Sequence, residues 1–410
     1  MPDSTAPRNP SRRPDSHAWH QAVAERHPDD IVLARGGTDG EALHRPHQLL
    51  VAPHHADRTV EASSQWIARR EDVAEAGVTV LHLREDRGVN VGELAAQLRG
   101  HASGPFDVTP NHILGGQPDM NGGPWGPPSP CGPVPRPSEA SLAEGKRPRR
   151  RPFAAVVDSG IVSHPWFADS DWFAQVTPDQ IDPVPADGDC PAPCESGHGT
   201  MVAGMILNQA PTAFLMIERV LDAEGVCDEI QLLRGLSSLR RRVEATGVVL
   251  DALNLSLGYY TLDNEPSMHL AEALNKFGPH TAVVVAAGNH GLERPFWPAA
   301  LDRSVGVAAL TKDGDHRAEY SNFGPWVAAC AVGTDVQGPY LSNAVVNSDK
   351  FEGYAQWSGT SFASPHVAGV VAAKAAAEEI SGARAAGQLL DVTGNPGSPR
   401  EIPEFGTVVG

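Results

Sequence analysis

From Phe153 to Glu378 the sequence alternates short apolar runs with longer stretches of helical periodicity, and this alternation leaves few folds open. The runs Phe153 to Val157, Phe214 to Val220, Val248 to Ser256, Thr281 to Ala287 and Ser304 to Ala309 read as strands buried on both faces. Ile230 to Ala245, Met268 to Phe277 and Phe362 to Glu378 read as helices. Strand and helix in repetition predict an α/β fold, a mostly parallel sheet with helices on both faces. In such sheets ligands and reacting groups gather at the carboxyl ends of the strands.

The rest of the chain divides around a segment that cannot propagate regular structure. Between Gly115 and Pro137, 14 of 23 residues are Gly or Pro, so residues 117–152 read as a linker. It ends in the basic run Lys146, Arg147, Arg149, Arg150, Arg151, which reads as a solvated tether, as an exposed processing site or, more weakly, as a nuclear or nucleic-acid signal. Residues 46–116 form a small α/β unit: Leu49 to Ala52 a strand, Val60 to Arg70 a helix, Val78 to Leu83 a strand, Asn90 the N-cap of a helix through Leu98, Val108 to Leu114 a strand. Residues 1–45 are polar without sustained periodicity and read as disordered or loosely ordered. The large unit spans 153–395, and 396–410 read as a C-terminal tail.

Charge narrows the partners. Residues 1–152 hold 18 Lys plus Arg against 19 Asp plus Glu, and the remainder 14 against 31, so nearly all of the formal −18 belongs to the large unit. So acidic a body lacks the positive footprint that nucleic acid requires, and it suits cationic peptides or divalent ions better. No apolar run is long enough to cross a bilayer, and the first thirty residues hold no secretory leader, which predicts a cytoplasmic protein with no membrane partner. Five scattered cysteines read as reduced thiols; Cys190 and Cys194 leave open a local redox bridge or half a metal site.

Three segments carry chemistry. The strand from Phe153 delivers Asp158-Ser159-Gly160 at its carboxyl end. Ser196-Gly197-His198-Gly199-Thr200 sets a histidine between two glycines at a helix start, where little side-chain cover keeps it from a cleft. Trp357-Ser358-Gly359-Thr360-Ser361 brings a hydroxyl to the first turn of an apolar helix, where backbone N–H groups favour developing negative charge, with Ser358 and Ser364 as decoys and Pro365 tolerated as a first-turn proline.

Together these segments resemble the signatures of the subtilisin family of serine peptidases, in that family's chain order of Asp, His, Ser. The likeness extends to Asn254-Leu255-Ser256-Leu257-Gly258, Ala286-Ala287-Gly288-Asn289-His290-Gly291, Trp297-Pro298-Ala299 and Tyr320-Ser321-Asn322-Phe323-Gly324, with Phe362 where Met is usual. It implies a serine endopeptidase in which His198 activates Ser361, Asp158 orients His198, and the Asn289 amide joins the Ser361 N–H in binding the oxyanion. His366 matches a family position but reads as structural. The resemblance further implies that Ser256, Leu257 and Gly258 pair an extended polypeptide substrate as an added strand and that Ala287 and Gly288 line the specificity pocket. Tyr259, Tyr260 and His290 depart from the usual residues there. No cofactor is implied; calcium is an option as a structural ion, with no ligand set assigned and no catalytic metal. Val108-Thr109-Pro110-Asn111-His112 resembles the closing strand of family propeptides, which makes 46–116 an expected intramolecular inhibitor or chaperone, released by cutting near Arg147 to Arg151, or else a permanent docking domain. A catalytically inactive peptide-binding scaffold would lack a triad residue, and none is missing; within peptidases, dedicated precursor processing stands beside general turnover. An α/β-hydrolase esterase would need a G-x-S-x-G elbow, which is absent.

Overall fold

The computed structural model describes residues 16–35, 40–101, 106–116, 126–139, 147–184, 189–190, 195–346, 348–391 and 401–410. The N-terminal unit runs α1 (Ser16–Arg26), β1 (Val32–Arg35), β2 (Glu41–Val51), α2 (Ala56–Ser63), β3 (Ile67–Val73), β4 (Val78–Leu83), α3 (Val91–Arg99) and β5 (Val108–Gly116). Its antiparallel strands are ordered β5-β2-β4-β3, with β1 on the free part of β2. The expected N-cap is in place: Asn90 Oδ1 accepts from the Glu93 N–H at 3.1 Å. Leu49, Leu81, Leu94, Leu98 and Val108 close a core between sheet and helices.

Two expectations for this region are corrected. The helix predicted over Val60 to Arg70 ends at Ser63, and from Ile67 the chain is strand. β3 carries four consecutive charged residues, Arg69 to Asp72, on an edge, so it shows no alternation of apolar and polar positions. Within 1–45, residues 16–35 are ordered. Val23, Ile31 and Leu43 are buried together with Ile113 and Val226, partners so distant in sequence that no local period announces them. Residues 1–15 and 36–39 lie outside the described residues.

The described parts of the linker, 126–139 and 147–152, are also more ordered than composition predicts, and 117–125 and 140–146, with Lys146, lie outside the described residues. Ser129–Pro130, β6, pairs with Gln356 and Ala355; Gly126 O accepts from Trp357 Nε1 at 2.9 Å, and Val134 O from Trp166 Nε1 at 3.1 Å. Within its basic end, Arg149 to Arg151 are tied to the large unit. The Arg149 N–H donates to Ala376 O at 3.0 Å, Arg150 forks onto both oxygens of buried Asp251 at 2.6 and 2.9 Å, and Arg151 forks onto Asp171 at 2.6 Å.

The large unit contains β7 (Phe153–Asp158), β8 (Asp189–Cys190), α4 (His198–Gln209), β9 (Phe214–Arg219), β10 (Val226–Asp228), α5 (Glu229–Thr246), β11 (Ala252–Leu255), β12 (Leu257–Gly258), α6 (Met268–Asn275), β13 (Ala282–Ala286), β14 (Ser304–Leu310), β15 (Ala329–Val332), β16 (Val336–Val346), β17 (Asp349–Trp357), α7 (Thr360–Glu378), α8 (Gly382–Leu390), β18 (Glu401–Ile402) and β19 (Gly406–Val408). The main sheet is ordered β18-β19-β15-β14-β13-β11-β7-β9, and every pairing from β19 to β9 is parallel. The expected Val248 to Ser256 strand is confined to Ala252–Leu255, and Val249 is exposed.

Successive residues of β7 show how the sheet is covered: Ala154 and Val156 join the core with α4 and α7, whereas Ala155 and Val157 join that with α5 and α6. α7 lies close against α4, since a β-carbon on Gly369 would come within 2.7 Å of Ile206 O. Residues 401–410 are not a tail, and 396–400 lie outside the described residues. β19 extends the sheet beside β15, β18 folds back on it, and Phe405 is buried. A smaller sheet, β6-β17-β16-β8, packs nearby. Cys131 and Cys227 are free thiols, and the Cys190–Cys194 reading falls outside the described side chains.

Candidate active site

Asp158 ends β7 with Oδ1 doubly engaged: the Ser159 N–H donates to it at 2.8 Å and His198 Nδ1–H at 2.6 Å. The glycines around His198 serve the backbone. Gly197 has φ +88°, and a β-carbon on Gly199 would lie 2.2 Å from Gly160 O, so α4 can start against the Asp158 turn only with glycine there. His198 does not open to a cleft as expected. Asp158, His198, Asn289 and Ser361 are all fully buried, and the His198 ring packs against Trp357 and Phe362 at centroid distances of 5.7 and 5.5 Å. Phe362 thus ties the start of α7 to the imidazole.

Ser361 is the second residue of α7, and Pro365 lies beyond the first turn that sequence assigned to it. Proline at that place removes the helical donor to Ser361 O. Ser256 Oγ takes over, donating to Ser361 O at 2.9 Å while accepting from Asn254 Nδ2 at 3.0 Å. Ser256 therefore acts through its side chain as well as its backbone. The decoys are engaged elsewhere: Ser358 Oγ accepts from the Asp335 N–H at 2.9 Å, and Ser364 Oγ shares a 3.2 Å hydrogen bond with Ser256 Oγ. Ser361 Oγ makes a long contact, 3.5 Å, to Ser256 O.

Asn289 is oriented by its oxygen. Oδ1 accepts from both the N–H and the hydroxyl of Thr360 at 2.9 Å, which leaves the Nδ2 donors buried with no partner among the described residues. A buried donor left unmade is costly unless a ligand completes it. Gly288, with φ +94°, donates its N–H to Thr360 Oγ1 at 3.1 Å. Asn322 holds this loop: Nδ2 donates to Ala287 O and Tyr260 Oη at 2.8 Å, and Oδ1 accepts from the N–H groups of His290 and Leu292 at 3.1 Å. Burial pushes His290 down to about 4, helped by Arg294, and His366 to about 4 by burial alone. His366 faces Gln209, not the triad cluster.

Sequence reasoning missed Asp182. Its Oδ2 accepts from Ser159 Oγ and the Gly197 N–H, both at 2.8 Å, and Ser159 Oγ accepts from the Gly199 N–H at 3.1 Å. Asp182 thereby binds the Asp158 turn to the start of α4. Burial raises its carboxyl to about 6 against the opposing hydrogen bonds, with Asp158 adding to the rise.

Leu257 and Gly258 pair antiparallel with Gly116 and Gly115, and β10 pairs with β5 on the other side. The strand edge expected to receive an extended polypeptide is thus filled by the end of the N-terminal unit. Trp19 of α1 covers Gly115, with its ring atoms 2.6 Å from a β-carbon built there, and stands beside His290. Buried His112 of β5 pairs with buried Glu229 of α5 at 3.2 Å.

A parallel α/β sheet that carries Asp, His and Ser at strand ends and helix starts, beside a buried amide donor, defines the class of proteins suited to acyl transfer. The profile of the subtilase family matches residues 150–394, and the chain belongs to that family. It is 33% identical over 231 residues to a thermostable alkaline protease of Halalkalibacterium halodurans, covering 53% of this chain and 55% of that protein. It is 34% identical over 230 residues to subtilisin BL of Lederbergia lenta, covering 53% and 74%. The chain thus spans about half the length of the first of these relatives. Among solved structures, a lanthipeptide protease superposes with a TM-score of 0.47 at 25% identity, covering 63% of this chain and 84% of that one.

Proposed function

We propose that this chain is a serine endopeptidase whose N-terminal unit is an intramolecular inhibitor seated in the substrate track. The observation that carries this reading is where β5 ends. Its last residues pair with Leu257 and Gly258, one residue short of Ser256, whose carbonyl lies 3.5 Å from Ser361 Oγ. An extended polypeptide on that path reaches the hydroxyl that the Asp158–His198 pair and Asn289 surround.

In the proposed reaction Ser361 Oγ attacks the scissile carbonyl carbon while His198 Nε2 takes its proton. Asp158 holds Nδ1–H and stabilises the imidazolium. The oxyanion receives Asn289 Nδ2–H and the Ser361 N–H, donors already in place before the charge develops. His198 gives its proton to the leaving amine, and water repeats the sequence on the acyl-enzyme to release the acid. These steps are assigned to side chains and backbone of this chain. Among the described residues the one group with metal-ligand spacing, His54, His55 and Asp107, belongs to the N-terminal unit. We further propose a reducing, cytoplasmic setting, which the free thiols of Cys131 and Cys227 support; fractionation of cells expressing the chain tests it.

The docked Arg150 and Arg151 do not support a cut at those residues, although Arg147 is exposed. The test is labelling of the full chain by an active-site serine probe, with its mass followed over time beside Ser361→Ala. Labelling at Ser361 together with peptide hydrolysis that rises as the N-terminal unit is lost is the expected result. A full-length chain that stays intact and fully active would overturn the inhibitor reading, and an unlabelled Ser361 in the opened chain the catalytic one.

A further inference from the structure

The N-terminal unit holds a cluster of ligand atoms that the peptidase chemistry does not use. β2 ends at Val51, and a short 3-10 helix, Pro53–His55, carries the chain into α2. Two histidines close that turn, with ring centroids 4.1 Å apart. Asp107, the residue before β5, is held beside them because its carbonyl accepts from the Ala52 N–H at 3.2 Å. One ligand atom each from His54, His55 and Asp107 lies within 4.8 Å of the other two.

The hydrogen bond at His55 shows which atoms face one another. The Asp107 N–H donates to His55 Nδ1 at 3.2 Å, and an amide N–H can only donate, so Nδ1 carries a lone pair and no proton. Asp107 Oδ2 stands 3.7 Å from the same nitrogen. A lone pair and a carboxylate oxygen thus meet with no proton between them, and a cation set there turns that repulsion into attraction. Bonds of about 2.0 to 2.2 Å from zinc to nitrogen and oxygen make the edges of a tetrahedral site about 3.3 to 3.6 Å, so Nδ1 and Oδ2 already stand close to one edge apart. His54 is exposed, and rotation of its ring brings in the second imidazole. An ion on Nδ1 displaces the long hydrogen bond from Asp107, whose side chain is 37% exposed, so water can receive the freed N–H.

We propose that His54, His55 and Asp107 bind a divalent cation of the zinc class, which staples the turn after β2 to the start of β5. Two imidazoles and one carboxylate suit zinc, cobalt(II) or nickel(II), whereas calcium takes six to eight oxygens. Water fills the fourth position on the exposed side. Glu272 of α6 adds negative charge nearby: its carboxyl is held down chiefly by Lys276 and to a smaller degree by His269 and His54. β5 runs from the staple to Gly116 on the β12 edge, so the ion fixes one end of the strand whose other end lies beside Ser256. All three ligands belong to the N-terminal unit, so binding does not depend on the peptidase or inhibitor reading.

The experiment uses the untagged full chain with Ser361→Ala to prevent self-digestion. Zinc affinity is measured by competition with a chromophoric chelator, and cobalt(II) serves as a coloured probe of the same ligands. One ion per chain is expected, with visible cobalt(II) bands of four-coordinate nitrogen and oxygen ligation. His54→Gln, His55→Gln and Asp107→Asn each weaken binding by at least about tenfold. His316→Gln, at an exposed histidine beside Asp313, leaves it unchanged. Amide exchange is the second readout. With zinc at about a hundred times its dissociation constant, the amides of Ala52 and β5 exchange up to about a hundredfold more slowly, because every opening that parts the turn from β5 must release the ion. His55→Gln abolishes that slowing. No stoichiometric zinc, binding that His55→Gln and Asp107→Asn leave at full strength, or binding that leaves these amides exchanging as before overturns the proposal. Should a variant misfold, the cobalt(II) spectrum and zinc-dependent exchange of the chain with all three ligands intact decide the matter.

Discussion

β7 and β3 show how differently the two units of this chain are written. β7 is apolar almost throughout and buried along its length, and its alternate residues serve two cores whose helices belong to the same unit. β3 buries only its first and last residues and exposes five between them. β5, in the same small unit, is buried at all nine positions, because its outer partners are β10 and β12 of the large unit. Helices of the large unit cover both faces of its own sheet; the small unit is completed by its neighbour. Substitutions therefore differ in kind: in the large unit they act on chemistry or on its own core, in the small unit on the union of the two.

Ser361→Ala is the sharpest case of the first kind. Peptide hydrolysis by the opened chain falls by at least about 10⁴-fold, while thermal unfolding and amide protection of both units stay as in wild type. Ser358→Ala and Ser364→Ala keep the chemistry. Loss of hydrolysis in either of those with Ser361→Ala active would move the nucleophile. Asn289→Ala comes next. It lowers kcat by about 100- to 1000-fold with KM little changed, because the unspent amide meets charge that exists only in the transition state. An unchanged kcat reduces Asn289 to the loop anchor that its bonds to Thr360 already make it.

Leu114→Ala probes the union instead. The side chain is fully buried in a core that joins residues of both units, so its loss weakens docking by about 2 to 5 kcal/mol. Hydrolysis by the full chain is expected to rise and the amides of β5 to exchange faster, while those of β14 stay protected. A fall in hydrolysis with β14 exposed would show that the large unit depends on the small one and would erase the contrast.

Legibility in the sequence follows the same line. The parallel sheet could be read because its strands are continuous apolar runs and its helices keep their own period, and Asp158, His198, Asn289 and Ser361 could be singled out because each sits where such a run or helix begins or ends. What could not be read depends on distant partners. Val23 and Ile31 have no periodicity of their own, and their burial awaits Ile113 and Val226. Ser129–Pro130 is a strand only because β17 lies beside it, despite the glycines and prolines around it. The burial of His198 was missed because the rings that cover it, Trp357 and Phe362, come from the end of β17 and the start of α7, about 160 residues later. Asp182 lies in a turn-rich stretch with no motif, and only the fold shows that it braces the Asp158 turn.

Asp182 provides the smallest effect and a test inside the large unit, where a loop residue supports the site without touching substrate. Burial raises its folded-state carboxyl from 3.8 to about 6, so between those values the folded chain binds more protons at this position than the unfolded chain does. The contribution of Asp182 to stability is therefore fully present below about pH 4 and is lost as pH rises through about 6, by on the order of 3 kcal/mol at most. Asn at 182 cannot ionise, so Asp182→Asn lacks this slope, and its fixed cost from altered hydrogen bonds to Ser159 and Gly197 is the same at every pH. Denaturant unfolding of wild type and Asp182→Asn, in a Ser361→Ala background to prevent self-digestion, measures the difference from pH 4 to pH 8. Wild type is expected to lose ground to the variant as pH rises across that window, since contributions from all other titrating groups cancel in the comparison. Parallel curves would mean that Asp182 is ionised throughout and braces the Asp158 turn as a carboxylate. In that case the strain of holding a second negative charge near Asp158 would be borne by the hydrogen bonds from Ser159 and Gly197, and their removal would disturb His198 at every pH alike.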